Sequence, residues 1–132
     1  MIKLVRLDYR LLHGQVVFSW TGHVGAQRII VVDDDAANDE MKKSALLLSK
    51  PAGVRVNIFT VDKAIAKMPK VEQLDEKIMM IFGNTAALLK FCQAYPKIKE
   101  INYGAVANKP GSKAFDQSVF LTPEEQADTQ KL

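Results

Sequence analysis

Two nearly unbroken apolar runs, "RIIVVD" at Arg28–Asp33 and "KIMMIF" at Lys77–Phe82, constrain this chain more than any other feature. A strand with one wet face alternates apolar and polar residues, whereas a strand covered on both faces has no need to alternate. Both runs therefore call for a sheet with layers above and below it. Further strand-like segments are Lys3–Asp8, Arg55–Thr60 ("RVNIFT"), Lys97–Tyr103 ("KIKEINY") and Ser118–Leu121. Helical periods lie between them. One spans Gln15–Val24, with Val16, Trp20 and Val24 on a single face. A second spans Asp39–Ser49, with Asn38 as its cap and "KPAG" at its end. A short third follows Val61 and is stopped by Met68-Pro69, and a fourth covers Thr85–Ala94, capped by Asn84 and burying Leu88, Phe91, Cys92 and Tyr95. Thr122 and Pro123 mark the start of a last helix. Strand–helix alternation of this kind predicts one three-layer α/β domain over residues 1–132, its mainly parallel sheet carrying helices on both faces.

Composition narrows the class. With 132 residues, 48% hydrophobic and 25% charged, the chain has enough apolar material for a real core. No apolar run approaches the roughly 18 residues of a membrane span. The start, "MIKLVRLDYR", has neither the apolar stretch nor the cleavage site of a signal peptide, so a cytoplasmic protein is expected. A single cysteine, Cys92, excludes an internal disulfide framework and reads as a small core hydrophobe. The net charge of +3 favours an anionic ligand only weakly and gives no argument for nucleic acid.

Sheets of this type gather function at the carboxyl ends of their strands. The first such end is "RLDYRLLHGQVVFSW", where His13 stands between a strand and a helix. Gly14 permits a tight turn there, and the following helix start offers unpaired N–H groups to an anion. Arg10, three residues upstream, carries a fork suited to phosphate oxygens, and Arg6 adds a second cation. A neutral imidazole is nucleophilic near neutral pH, and nearby cations keep its lone pair free. These residues suit phosphoryl transfer through a phosphohistidine. On the residues alone, a capping or surface histidine remains equally open.

The same segment resembles the active-site stretch of enzyme IIB components of mannose/fructose/sorbose-type sugar phosphotransferase systems. Arg6, Asp8, Arg10, Leu11, His13, Gly14, Gln15, Val16 and Trp20 meet that pattern. The likeness continues through "IIVVDDDAANDEMKKSALLLSKPAGV", "FGNTAALLKF", "INYGAV" and "VFLTPEE". It implies a protein-Nπ-phosphohistidine–sugar phosphotransferase. His13 would accept a phosphoryl group from enzyme IIA and pass it to a sugar entering through the membrane components IIC and IID. Arg10 would clamp the phosphoryl oxygens, Asp8 would orient Arg10 or the loop, and Gln15 would support the loop. No cofactor or metal is expected, membrane association would be peripheral, and the reading leaves room for a homodimer. Two departures stand out. Tyr103 and Ala105 occupy a turn where the family more often has small residues, and the sequence stops at Leu132, about one strand and helix before its relatives do.

Other features have blander readings. Asp33–Asp35 could hold Mg²⁺, but loop solvation and charge at a helix start are favoured, with Asp33 as a lining residue of the phosphate pocket. His23 lies about 15 Å along the helix from His13 and is not expected to share its site. Trp20 and Phe18 read as packing residues. The stretch Gly104–Phe115, with Lys109 and Lys113, reads as a mobile, solvated loop. Two rival classes fit less well. A divergent histidine phosphatase would place arginine directly before His-Gly, where Leu12 intervenes. A receiver-like signalling domain would need an aspartate at the end of the third strand, where Thr60 stands.

Overall fold

A computed structural model describes residues 2–12, 19, 21–95, 98, 101–103, 113–114 and 120–121. Five parallel strands form the main sheet: β1 (Ile2–Leu7), β2 (Arg28–Val32), β3 (Arg55–Phe59), β4 (Ile78–Phe82) and β5 (Asn102–Tyr103), in the order β3-β2-β4-β1-β5. The helices are α1 (Asp34–Ala37), α2 (Glu40–Leu48), α3 (Val61–Val71) and α4 (Thr85–Ala94). Ser19 and residues 21–24 are helical as well, which places the described part of the first predicted helix as expected.

Each central strand sends alternate side chains to two separate cores. Val5, Leu7, Ile30, Val32, Ile78, Met80 and Phe82 meet α3 and α4 through Val61, Ala64, Met68, Leu88 and Phe91. Ile29, Val31, Met79 and Ile81 face the other way, toward Leu11, Leu12, Ala26 and Ala36, with Val24 and Leu46 packed at the margin. All five residues of β4 are fully buried, which is why "IMMIF" shows no alternation. The three-layer α/β architecture with helices on both faces is therefore present. It also obeys one crossover hand. Connections running from β1 toward β3 lie on one face, and those returning through α3 and α4 lie on the other.

Several boundaries differ from the sequence reading, each for a local reason. Asp39, not Asn38, caps α2, because its carboxylate accepts from the N–H groups of Met41 and Lys42. Asn38 instead closes α1, a short helix the sequence pattern does not reveal. Pro69 does not stop α3, which runs on to Val71. Val61, Ala64, Met68 and Val71 make one continuous buried stripe, and its burial carries the helix past the proline near its end. In α4 the cap Asn84 accepts from Ala87 N–H at 2.8 Å as expected, but Cys92 and Tyr95 are only half buried. Burial pushes the Cys92 thiol up, consistent with an inert packing role. The predicted strand Lys97–Tyr103 is reduced to Asn102–Tyr103, since the described Ile98 and Ile101 are not in strand. Lys113–Ala114 (β6) pairs antiparallel with Phe120–Leu121 (β7), so the expected loop contains a strand and the sixth predicted strand belongs to a separate ribbon. The helix expected from Pro123 lies outside the described residues.

Candidate functional site

Asp8 is the centre of the described site. It follows β1 directly, its N–H donates to the carbonyl of Phe82 at 2.9 Å, and its carbonyl accepts from Leu11 N–H at 3.0 Å. The residue is 2% exposed, and both carboxylate oxygens are doubly engaged. Oδ1 accepts from the backbone N–H and the Nε of Arg10, each at 3.0 Å. Oδ2 accepts from Nη2 of Arg10 at 2.9 Å and from Nη2 of Arg6 at 3.3 Å. Four donors on two oxygens fill the acceptor capacity of an ionised carboxylate. Burial alone would raise the Asp8 carboxyl, but the hydrogen bonds from Arg10 and the charges of both arginines outweigh it and hold it below the ordinary value. The same hydrogen bond raises Arg10 further.

This arrangement fixes one face of the Arg10 guanidinium and leaves another. Nε and Nη2 point into Asp8, while Nη1 takes no part in that pair. The Arg10 side chain is 28% exposed against 9% for that of Arg6. Two guanidinium groups converge on the one Asp8 carboxylate, an arginine-rich arrangement that suits an anionic ligand.

The backbone then turns sharply. Leu11 has φ 58°, a left-handed conformation that costs a leucine about 1–2 kcal/mol. Its side chain is buried in the second core, and burying a leucine is worth about 1.5–3 kcal/mol, enough to hold the turn. Leu12 is buried beside it. No sequence signal marked Leu11 for this conformation, which glycine or asparagine usually adopts.

Topology explains why these groups meet. The connections leaving β1 and β2 run over one face of the sheet, whereas the connection leaving β4 runs over the other. Crevices therefore open on both sides of the β4 carboxyl end, the usual ligand position in such sheets. Gly83 stands there, its N–H donating to the carbonyl of Val32 at 3.3 Å. A Cβ on Gly83 would lie 2.0 Å from Oδ2 of Asp33 and 3.3 Å from Cδ2 of Leu11. Asp33, after β2, and Leu11, after β1, thus converge over a position that tolerates no side chain. Gly83 was overlooked in the sequence, although a glycine between a wholly apolar strand and a capping asparagine is a recognisable sign of close backbone approach.

Asp33 thus borders the same edge, but its carboxylate is committed to structure: Oδ1 accepts from Ala36 N–H at 3.0 Å as the cap of α1. Asp34 accepts from Val61 N–H at 2.8 Å and ties the β2 loop to the start of α3. Asp33 and Asp34 therefore organise helix starts. Among the described residues, no group of three or more His, Cys, Asp or Glu side chains is placed to hold a metal ion. Thr60 caps α3 by accepting from Lys63 N–H at 3.2 Å, so the receiver-like reading finds a helix cap where it needs an aspartate. His23 is exposed on the helical stretch 21–24. His13, Gly14, Gln15, Phe18, Trp20, Ala105 and Lys109 lie outside the described residues.

Comparison with known proteins agrees with this α/β fold. Residues 2–132 match the family model described as the PTS system sorbose subfamily IIB component. The sorbose-specific EIIB component of Klebsiella pneumoniae is 36% identical over 124 residues, covering 94% of this chain and 76% of that protein. The crystal structure of the IIBSor domain of the K. pneumoniae sorbose permease superposes with a TM-score of 0.93 at 34% identity, covering 100% of this chain and 81% of that one. The mannose-specific EIIAB component of Escherichia coli K12 is 32% identical over 92% of this chain and 38% of its own length. No described helix is long and apolar enough to cross a membrane. On sequence and on fold, the chain belongs to the sorbose subfamily of IIB components of the sugar phosphotransferase system, a family of phosphoryl-transferring proteins of sugar transport.

Proposed function

We propose that this chain is a phosphocarrier in which His13 accepts a phosphoryl group from a phosphohistidine on a IIA partner and delivers it to a sugar arriving through membrane components IIC and IID. One observation carries the reading: Asp8 holds Arg10 by two nitrogens at the switch point of the sheet, three residues before His13, and leaves Nη1 of Arg10 outside that pair. In the first step the phosphorus–nitrogen bond to the donor imidazole breaks as the bond to His13 forms. In the second, a sugar hydroxyl attacks phosphorus as the bond to His13 breaks, and the hydroxyl proton ends on the released His13 ring. Charge moves onto the phosphoryl oxygens in both, and an arginine fixed before the reaction stabilises them without reorganising. Asp8 and Arg6 act as positioning residues, Gly14 and Gln15 shape the loop, and Asp33 borders the pocket. A relative whose name joins A and B components in one chain supports IIA as the donor. The relatives are named for different sugars, so the sugar itself is not assigned. Association with the membrane is peripheral, through IIC and IID.

The test is intact-mass measurement after incubation with a phosphorylated IIA protein. Wild type is expected to gain one phosphoryl group and His13→Ala none. Phosphorylation of the alanine variant would overturn the assignment.

A further inference from the structure

On the flank of the sheet away from β5, a groove of about 310 Å³ runs between β3 and α3. Arg28, Asn57, Phe59, Lys63, Lys67 and Lys70 are among its lining residues. Arg28 is taken up by Glu76 at 2.8 Å and by the side-chain oxygen of Asn57. Nζ of Lys63 sits 5.3 Å from the centre of the Phe59 ring. Lys63, Lys67 and Lys70 follow one another at four and three residues on one helix face, and among the described residues no carboxylate lines the groove.

A second observation concerns the strand beneath. Among the described residues β3 is the edge of the sheet. Arg55 N–H donates to the Gln27 carbonyl at 3.1 Å, and the Phe59 carbonyl accepts from Asp33 N–H at 3.0 Å, so Arg55, Asn57 and Phe59 bond inward to β2. Alternation then turns the N–H and C=O groups of Val56 and Ile58 outward, as a template for another strand. Their side chains join the margin of the second core, while Asn57 and Phe59 face the lysines.

We infer that this edge docks an extended acidic segment of a partner protein, added as a strand beside β3 with its carboxylates under Lys63, Lys67 and Lys70. The dimensions agree. Lys63 and Lys67 are about 6 Å apart along the helix axis, and same-face side chains of a strand repeat at about 6.6–6.8 Å. The opposite face of the added strand would lie beside Val56 and Ile58 and calls for apolar residues, so the recognised pattern alternates acidic and apolar residues. The lysine row also bars the wrong partner, since a second copy would bring its own cationic edge against this one.

The probe is a synthetic peptide of alternating glutamate and valine, about six residues long, titrated into the isotope-labelled protein by NMR. Expected are shifts at Val56, Ile58 and the lysine row, weakening with salt. Lys63→Glu/Lys67→Glu/Lys70→Glu, whose fold is checked by its own spectrum, is expected to weaken binding about tenfold or more. A peptide N-methylated along one edge is expected to lose binding, because it cannot complete the ladder. Equal binding of the methylated peptide, the same shifts from inorganic phosphate alone, or binding only to phosphatidylserine vesicles would each overturn the inference. So would the absence of peptide binding at millimolar concentration.

Discussion

Asp8 and Asp33 follow β1 and β2, the two strands that flank β4, at the same edge of one sheet, yet they use their carboxylates differently. Asp33 gives its oxygen to the backbone N–H of Ala36 and so begins a helix. Asp8 accepts from two guanidinium groups and one backbone N–H, and is almost wholly buried. The first arrangement sets the course of the chain. The second holds two guanidinium groups in place at the carboxyl edge, as the proposed phosphoryl transfer requires. Position at the carboxyl edge is thus necessary for a functional carboxylate but does not identify one; its partners do.

The largest effect that would break this contrast is at Asp8. Asp8→Ala removes the buried carboxylate that Arg6 and Arg10 share, and urea unfolding is expected to show a loss of about 3–5 kcal/mol. A loss under about 1 kcal/mol would place Asp8 in the same structural category as an ordinary cap. Acid sharpens the point. A carboxyl held below its ordinary value stabilises the fold above that value, and this contribution disappears as pH falls through the folded-state value. The stability gap between wild type and Asp8→Asn is therefore expected to be widest near neutrality and to close below the ordinary value of 3.8. A gap that widens in acid would reverse the sign of the argument.

Gly83→Ala comes next, at about 1–3 kcal/mol, because its Cβ must displace the Asp33 carboxylate. Asp33→Ala alone should cost about 1 kcal/mol as a lost cap. The double variant should cost less than the sum, since removing the carboxylate frees the space for the methyl group. Strict additivity in the unfolding data would dissociate Gly83 from Asp33. The smallest stability change belongs to Arg10→Lys, about 1 kcal/mol or less on a partly exposed pair. Its transfer rate from phosphorylated IIA, followed by rapid quench, is nonetheless expected to fall about 100-fold, because a lysine cannot be held by two nitrogens and still offer a third. An unchanged rate would remove Arg10 from the mechanism.

The layered fold was legible because "RIIVVD" and "KIMMIF" left no wet face for their strands, and Asn84 with Thr85–Ala94 showed its helix directly. What misled were features decided beyond the local chain. Pro69 reads as a stop, yet the buried stripe that carries α3 onward is visible only when Val71 is counted with Met68. Asp39 and Asn38 are equally good caps by residue type, and α1 occupying the preceding turn decides between them. In the site, spacing pointed to Arg6 and Arg10 and the family resemblance to Asp8; the structure brings the three together, but their geometry was not legible. That depends on the left-handed Leu11, whose conformation is set by the core it enters rather than by its own preference. Gly83 and Asp33 lie 50 residues apart, and only the strand order brings them into contact.

The proposed relay depends on which side chain receives the phosphoryl group. Heteronuclear correlation of phosphorus with ring protons, on protein freshly phosphorylated by IIA, reads that position directly. The phosphorus signal is predicted to couple to the His13 ring and to be lost in acid while surviving base. A signal on His23, or one that fails in base as an aspartyl phosphate does, would contradict the relay through His13.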